Sequence, residues 1–193
     1  MSHPVLLIPA LLAQAPAAPQ PLDQVQALLA TIPQAVIEGR PAETKALLEK
    51  ARAGWAQARP GLKAVPEAEA GFVDRQLKSM QGMSPRERAL GALMIGRSLA
   101  QHQPAGRVRE LADADRSARI AWCNIDAGYW NQVPPVADIF RPVLQKEQGR
   151  SLVVAAAEEA LKRFAQSQKK EQAAPAKKAL RDLMTQVEAL QKG

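Results

Sequence analysis

From residue 22 onward the apolar positions of this chain recur at helical spacing. Leu22, Val25, Leu29, Ile32 and Val36 follow one another at intervals of three and four, the stripe that an amphipathic helix turns toward a core. Pro33 falls inside that stripe and lacks a backbone donor, so a kink or a division near Thr31 is expected. "EGRPAET" then reads as a turn, with Gly39 suited to a helix C-terminus and Pro41 to the first position of the next helix. That second helix carries Leu48, Ala51, Trp55 and Ala58 on one face and ends at the "RPG" of residues 59–61. A third is predicted over residues 66–80, around Phe72, Val73, Leu77 and Met80.

The clearest helix start is "SPRE". Ser84 can cap, Pro85 sits at the first helical position, and Glu87 is placed to close a capping box on Ser84. The turns that follow are apolar on two sides, with Leu90 and Met94 on one and Ala92, Ile95 and Leu99 on the other. Such a helix belongs in the middle of a bundle. A long helix is predicted from Arg107 to Gly128, and "QVPPVADIF" reads as a loop or kink because Pro134 and Pro135 restrict the backbone. Val153, Ala157, Ala160, Leu161 and Phe164 mark another helix. The last carries Ala176, Leu180, Leu183, Val187 and Leu190. That narrow seam suits a single partner. Docking on the chain's own bundle is the reading preferred, with a dimer through this C-terminal helix as the alternative, because two heptads alone are marginally stable.

β-branched residues are sparse and never alternate with polar ones for long, which leaves no strand pattern. The fold expected is all-α, a single-domain helical bundle of about six helices over residues 22–193. Composition agrees. Aromatic residues make up only 4% of a chain that is 47% hydrophobic, so the core must be built from Ala, Leu, Val and Ile, as in closely packed helices.

The formal net charge of +7 is concentrated at one end, since residues 162–193 hold eight Lys and Arg against three acidic residues. Lys169, Lys170, Lys177, Lys178 and Arg181 are therefore candidate contacts for a polyanion, set against the plainer reading of a solvated helix face. No motif for sequence-specific nucleic-acid recognition accompanies them.

The N-terminus carries a different pattern. "VLLIPALLA", residues 5–13, is too short to span a bilayer but fits the apolar core of a secretory signal. Ala15-Pro16-Ala17 places small residues where a signal peptidase reads, although "MSHP" lacks the usual basic flank. Residues 1–17 are accordingly expected to be a signal peptide and 18–21 a Pro/Gln-rich spacer, with the mature chain periplasmic or secreted. If the segment is not a signal, the chain is cytoplasmic. No later segment reads as a transmembrane helix, and no lipoprotein anchor is expected, because no Cys follows the apolar run.

Residues 38–60 resemble one unit of a tetratricopeptide array through Gly39, Leu48, Ala51 and Pro60, but no second copy follows in register and a solenoid needs at least about three. The same stretch is similar to the helical periplasmic imelysin-like proteins, whose Gly-x-His-x-x-Glu metal motif is missing here.

The chemistry-bearing motifs are few. The chain has no Gly-rich phosphate loop, no Gly-x-Ser-x-Gly elbow and no His-Glu-x-x-His. A single Cys excludes both an internal disulfide and a covalent c-type haem site. Structural zinc would require about four Cys or His ligands, which the chain does not supply. His102 follows the stripe of Ala92, Ile95 and Leu99 at a helix end, where it can face the last carbonyls as a cation. The sharper alternative is a noncovalent haem held by His102 with Met80, Met83 or Met94. No cofactor is expected.

One stretch remains. "RSARIAWCNIDAGYWNQ", residues 116–132, holds two of the three Trp, the only Tyr and the only Cys. At about 100° per residue, Leu111, Ala114, Ala118, Trp122, Ile125 and Tyr129 share one helical face. Asp115, Arg119, Asp126 and Trp130 line its edge, with Asp115 and Arg119 spaced to pair. Two readings follow: an ion-paired rim on the core, or a small site in which Arg119, Trp122, Asp126, Tyr129 and Trp130 contact a ligand or partner. Cys123 reads as a packed residue rather than a reactive thiolate. A carboxylate without a nucleophile or second acid–base group argues against catalysis. The function expected is that of an exported binding or interaction module for an unknown protein or small molecule. A small-molecule or haem-binding bundle and a polyanion-binding protein are the alternatives, and an enzyme ranks last.

Overall fold

A computed structural model describes residues 21–63, 65–102 and 106–192. The expected signal segment, and the spacer up to Gln20, lie outside the described residues. Within them are eight α-helices rather than about six: α1 Pro21–Ile37, α2 Thr44–Ala58, α3 Glu67–Ser79, α4 Pro85–Ala100, α5 Arg107–Asp126, α6 Val136–Lys146, α7 Ser151–Lys169 and α8 Ala173–Gln191. Single turns of 3-10 helix join several of them, and no strand occurs among the described residues. No helix there is long and apolar enough to cross a membrane.

Pro33 does not divide α1, which continues through it to Ile37 with Val25, Leu29, Ile32 and Val36 buried. Its end is set by Gly39, whose φ of 78° lets the amides of Gly39 and Arg40 turn back onto the carbonyls of Val36 and Ala35. Pro41 begins a 3-10 turn that leads into α2. On α2, Leu48, Ala51, Trp55 and Ala58 are all buried, as their spacing predicts, and the Trp55 indole N–H donates to Asp74 of α3 at 2.7 Å.

The predicted start of α4 is present in full. The Ser84 side chain accepts from the Glu87 amide, and the Glu87 carboxylate accepts from the Ser84 amide. Two hydrophobic clusters meet on this helix. Ala92, Ile95 and Leu99 pack with α1, α2 and α3, whereas Ala89 and Leu93 join a larger cluster built from α5 to α8. The larger cluster also takes Val36 and Ile37 from the end of α1. Met94, predicted to share an apolar side with Leu90, is instead exposed. Gly91 is where α4 closes on Met80, since a Cβ there would lie 2.9 Å from Met80 Cγ and Sδ.

The segment read as a loop or kink is divided: residues 132–135 lie outside any α-helix, whereas Val136 to Phe140 open the helix α6. Pro135 occupies its cap and Pro142 lies inside it. Val136, Phe140, Val143 and Leu144 are buried at one-turn and two-turn spacing, and their burial outweighs the backbone donor that Pro142 lacks. On α7 the buried valine is Val154, with Val153 only partly covered. The seam of α8 docks within the chain: Ala176, Leu180, Leu183, Val187 and Leu190 are all buried, and the helix packs against α5 and α7.

Candidate functional site

Trp122 and Asp126 stand one turn apart near the C-terminus of α5, so both project from the same side of the helix. Trp122 is almost fully buried in the larger cluster. Two other helices bring cations to this place. On α8, Lys177 and Arg181 share a face by the same one-turn spacing, flanking the buried seam. At α4 the capping box fixes the first turn and presents Arg86 over the end of α5.

The four side chains interlock. Arg86 meets Asp126 Oδ2 through Nε at 2.6 Å and a terminal guanidinium nitrogen at 2.5 Å. Lys177 donates to Asp126 Oδ1 at 2.6 Å. The Lys177 ammonium lies 5.1 Å and the Arg181 guanidinium 5.5 Å from the centre of the Trp122 ring, within cation–π range. Arg181 also donates to the carbonyl of Ile37 at 2.7 Å, tying α8 to the last turn of α1. Burial pushes the Asp126 carboxyl up, but the hydrogen bonds and charges of Lys177 and Arg86 outweigh it and hold the group below its ordinary value. The buried indole N–H of Trp122 has no acceptor among the described residues.

These residues line an open cavity of about 550 Å³ together with Val36, Ile37, Pro41, Ser84 and Pro85. It lies at the edge of the larger hydrophobic cluster, which supplies Val36, Ile37 and Trp122, and its size is that of an ordinary small-molecule site.

The five residues predicted together do not all converge here. Trp122 and Asp126 line the cavity. Arg119 is buried elsewhere, donating to Asp115 at 2.6 Å and to Gln34 of α1, beside a second cavity between α1, α4, α5 and α8. Tyr129 is exposed past the end of α5. Trp130 begins a 3-10 turn and rests, partly buried, on the larger cluster. Asn124 anchors that turn by donating to the carbonyl of Gln132 at 2.7 Å.

The candidate polyanion strip is likewise divided. Lys169, Lys170 and Lys178 face solvent, whereas Lys177 and Arg181 turn onto Trp122. His102 engages the carboxylate of Glu69 through Nε2, and Ser98 donates to the other oxygen of that carboxylate. The nitrogen a haem would need is therefore taken. Met80 is fully buried and Met94 exposed. No group of three or more His, Cys, Asp or Glu among the described residues is placed to hold a metal ion. Cys123 is buried, and burial, with the nearby Asp126 charge, pushes its thiol up to about 12.

Sequence reasoning did not bring Arg86, Ile37 and Pro41 to the cavity that Trp122 lines, nor Lys177 and Arg181 onto its ring. The one available signal was the one-turn spacing of Lys177 and Arg181, the same as that of Trp122 and Asp126. Compared with models of protein families, with curated proteins and with solved structures, the chain finds no match.

Proposed function

We propose that this chain is a non-catalytic binding module of the cell envelope or periplasm, and that its recognition site is the cavity floored by Trp122 and Asp126. The observation that carries this reading is the convergence of Arg86, Lys177 and Arg181, from two separate helices, on one aromatic ring and one carboxylate beside open space. A stability device would need only as many cations as it has carboxylates. Here two cations pair with the one carboxylate and a third, Arg181, lies on the neighbouring ring, and the cavity next to them is large enough for a small molecule. The one hydroxyl of the lining, Ser84, is held in the capping box of α4, which supports binding rather than turnover. The turning of Lys177 and Arg181 away from the exposed lysines weighs against the polyanion alternative.

Native mass spectrometry of the protein recovered from its host tests both halves of the proposal. The expected result is a chain beginning near Ala18 that carries a small-molecule adduct, with the adduct lost in Pro41→Trp, which fills an exposed edge of the cavity. A chain still beginning at Met1 or Ser2 would remove the export reading. An adduct retained by Pro41→Trp would remove the cavity.

A further inference from the structure

We infer that the cavity takes a small organic oxyanion, a carboxylate or phosphate head on an apolar body; this rests on the cavity being the binding site. The first argument is hydrogen-bond inventory. Lys177, Arg86 and Arg181 are donors only. The one carboxylate in the lining, Asp126, already accepts from Arg86 and Lys177 on both oxygens. Among the described residues Arg181 gives a single hydrogen bond, to the carbonyl of Ile37. The side-chain acceptors of the lining, Asp126 and the Ser84 hydroxyl, are both engaged already, so the capacity left over is that of donors, and an oxyanion is a group made only of acceptors.

Charge points the same way. Three cations face one carboxylate, so the lining holds a positive excess that a bound anion would neutralise. Lys177 and Arg181 are already held against the Trp122 ring, which lowers the ordering cost of gathering them around a ligand head. Asp126 shows that a carboxylate can lie between Arg86 and Lys177, and it is also the ligand's competitor for them. Val36, Ile37, Pro41 and Pro85 offer no polar side chain to the remainder of the ligand, which fits an apolar body.

The test is calorimetric titration of the full chain with phenylpropionate, phenyl phosphate, phenylpropanol and phenethylammonium. Thermal melts confirm that each variant is folded. One or both anions should bind, and the tighter of the two identifies the head. Binding should weaken with added salt, and by at least about fivefold in Arg181→Gln, the loss of a charge-assisted hydrogen bond. Lys177→Gln should act alike where it folds; Arg181, being exposed, carries the test otherwise. Asp126→Asn should tighten anion binding, because it removes the competitor. Equal binding of phenylpropanol, unaffected by Arg181→Gln and abolished by Pro41→Trp, would overturn the oxyanion while leaving the cavity as the site. Preference for phenethylammonium, lost in Asp126→Asn, would overturn it in favour of a cation site. Binding of no probe, together with an adduct that Pro41→Trp retains, would remove both readings.

Discussion

Lys177 on α8 closes a 2.6 Å ion pair with Asp126 at the end of α5, across 51 residues of sequence. The same carboxylate takes Arg86 from the start of α4, so one side chain ties three helices together. Removing its charge leaves two cations facing each other. Asp126→Asn should therefore destabilise the fold by about 1–2 kcal/mol, less than for a fully buried pair because Arg86 is half exposed.

The pH dependence of that loss has a definite sign. The carboxyl of Asp126 is held below its ordinary value in the fold, so it contributes stability above the unfolded value of about 3.9 and loses it as pH falls through the lower folded one. Urea melts of the two proteins should differ most near neutral pH and converge as pH falls through the lowered folded value. A difference that persists unchanged into strong acid would mean that Asp126 acts by packing, not charge.

Trp122 and Trp130 sit eight residues apart in very different surroundings. Trp122 is 4% exposed, and Trp122→Ala should cost about 3–5 kcal/mol. Trp130 is only partly covered, so Trp130→Ala should cost clearly less. Denaturation midpoints at matched slopes decide the matter. Equal losses would show that the turn after α5 contributes as much as the core.

Two glycines of α4 should respond to alanine in opposite directions. At Gly96 the nearest atom is Arg116 Nε, 3.6 Å from the added Cβ, an ordinary contact. Gly96→Ala should stabilise by up to about 1 kcal/mol through helix propensity. At Gly91 the same gain is opposed by the clash with Met80, whose Cγ lies too near its own backbone to swing away. Overpacking costs about 1–3 kcal/mol, so Gly91→Ala should be net destabilising. Thermal melts that rise for both would show that Met80 repacks freely.

Glu171 holds a conformation that suits glycine. It ends α7 with a φ of 50°, while its amide and that of Gln172 turn back onto Gln168 and Ser167, the same closure that Gly39 makes after α1. Replacing Glu171 by Gly should raise stability by roughly 0.5–1 kcal/mol, since a side chain in the left-handed region costs about that much. A lower melting temperature for Glu171→Gly would point to a role for the carboxylate that the backbone does not explain.

What the sequence determined by itself is what local chemistry determines. The cap at Ser84, the stop at Gly39 and the buried stripes of α1, α2 and α8 each follow from neighbours within two turns, where spacing and backbone geometry are set by residue type. The two-sided apolar pattern of α4 even indicated that this helix would lie between others. Local rules failed at the start of α6, where Pro134 and Pro135 spoke for a loop or kink through Phe140, while the burial of Phe140 and Leu144 was supplied by α5 and α7. They failed again at the candidate site. Asp126 and Arg119 lie near each other along α5 and were read as one constellation, yet they belong to different cavities. Asp126 is paired from α4 and α8, whereas Arg119 keeps the predicted partner Asp115 one turn away and adds Gln34 of α1. Which cations reach Asp126 depends on helices distant in sequence, and no local spacing encodes that.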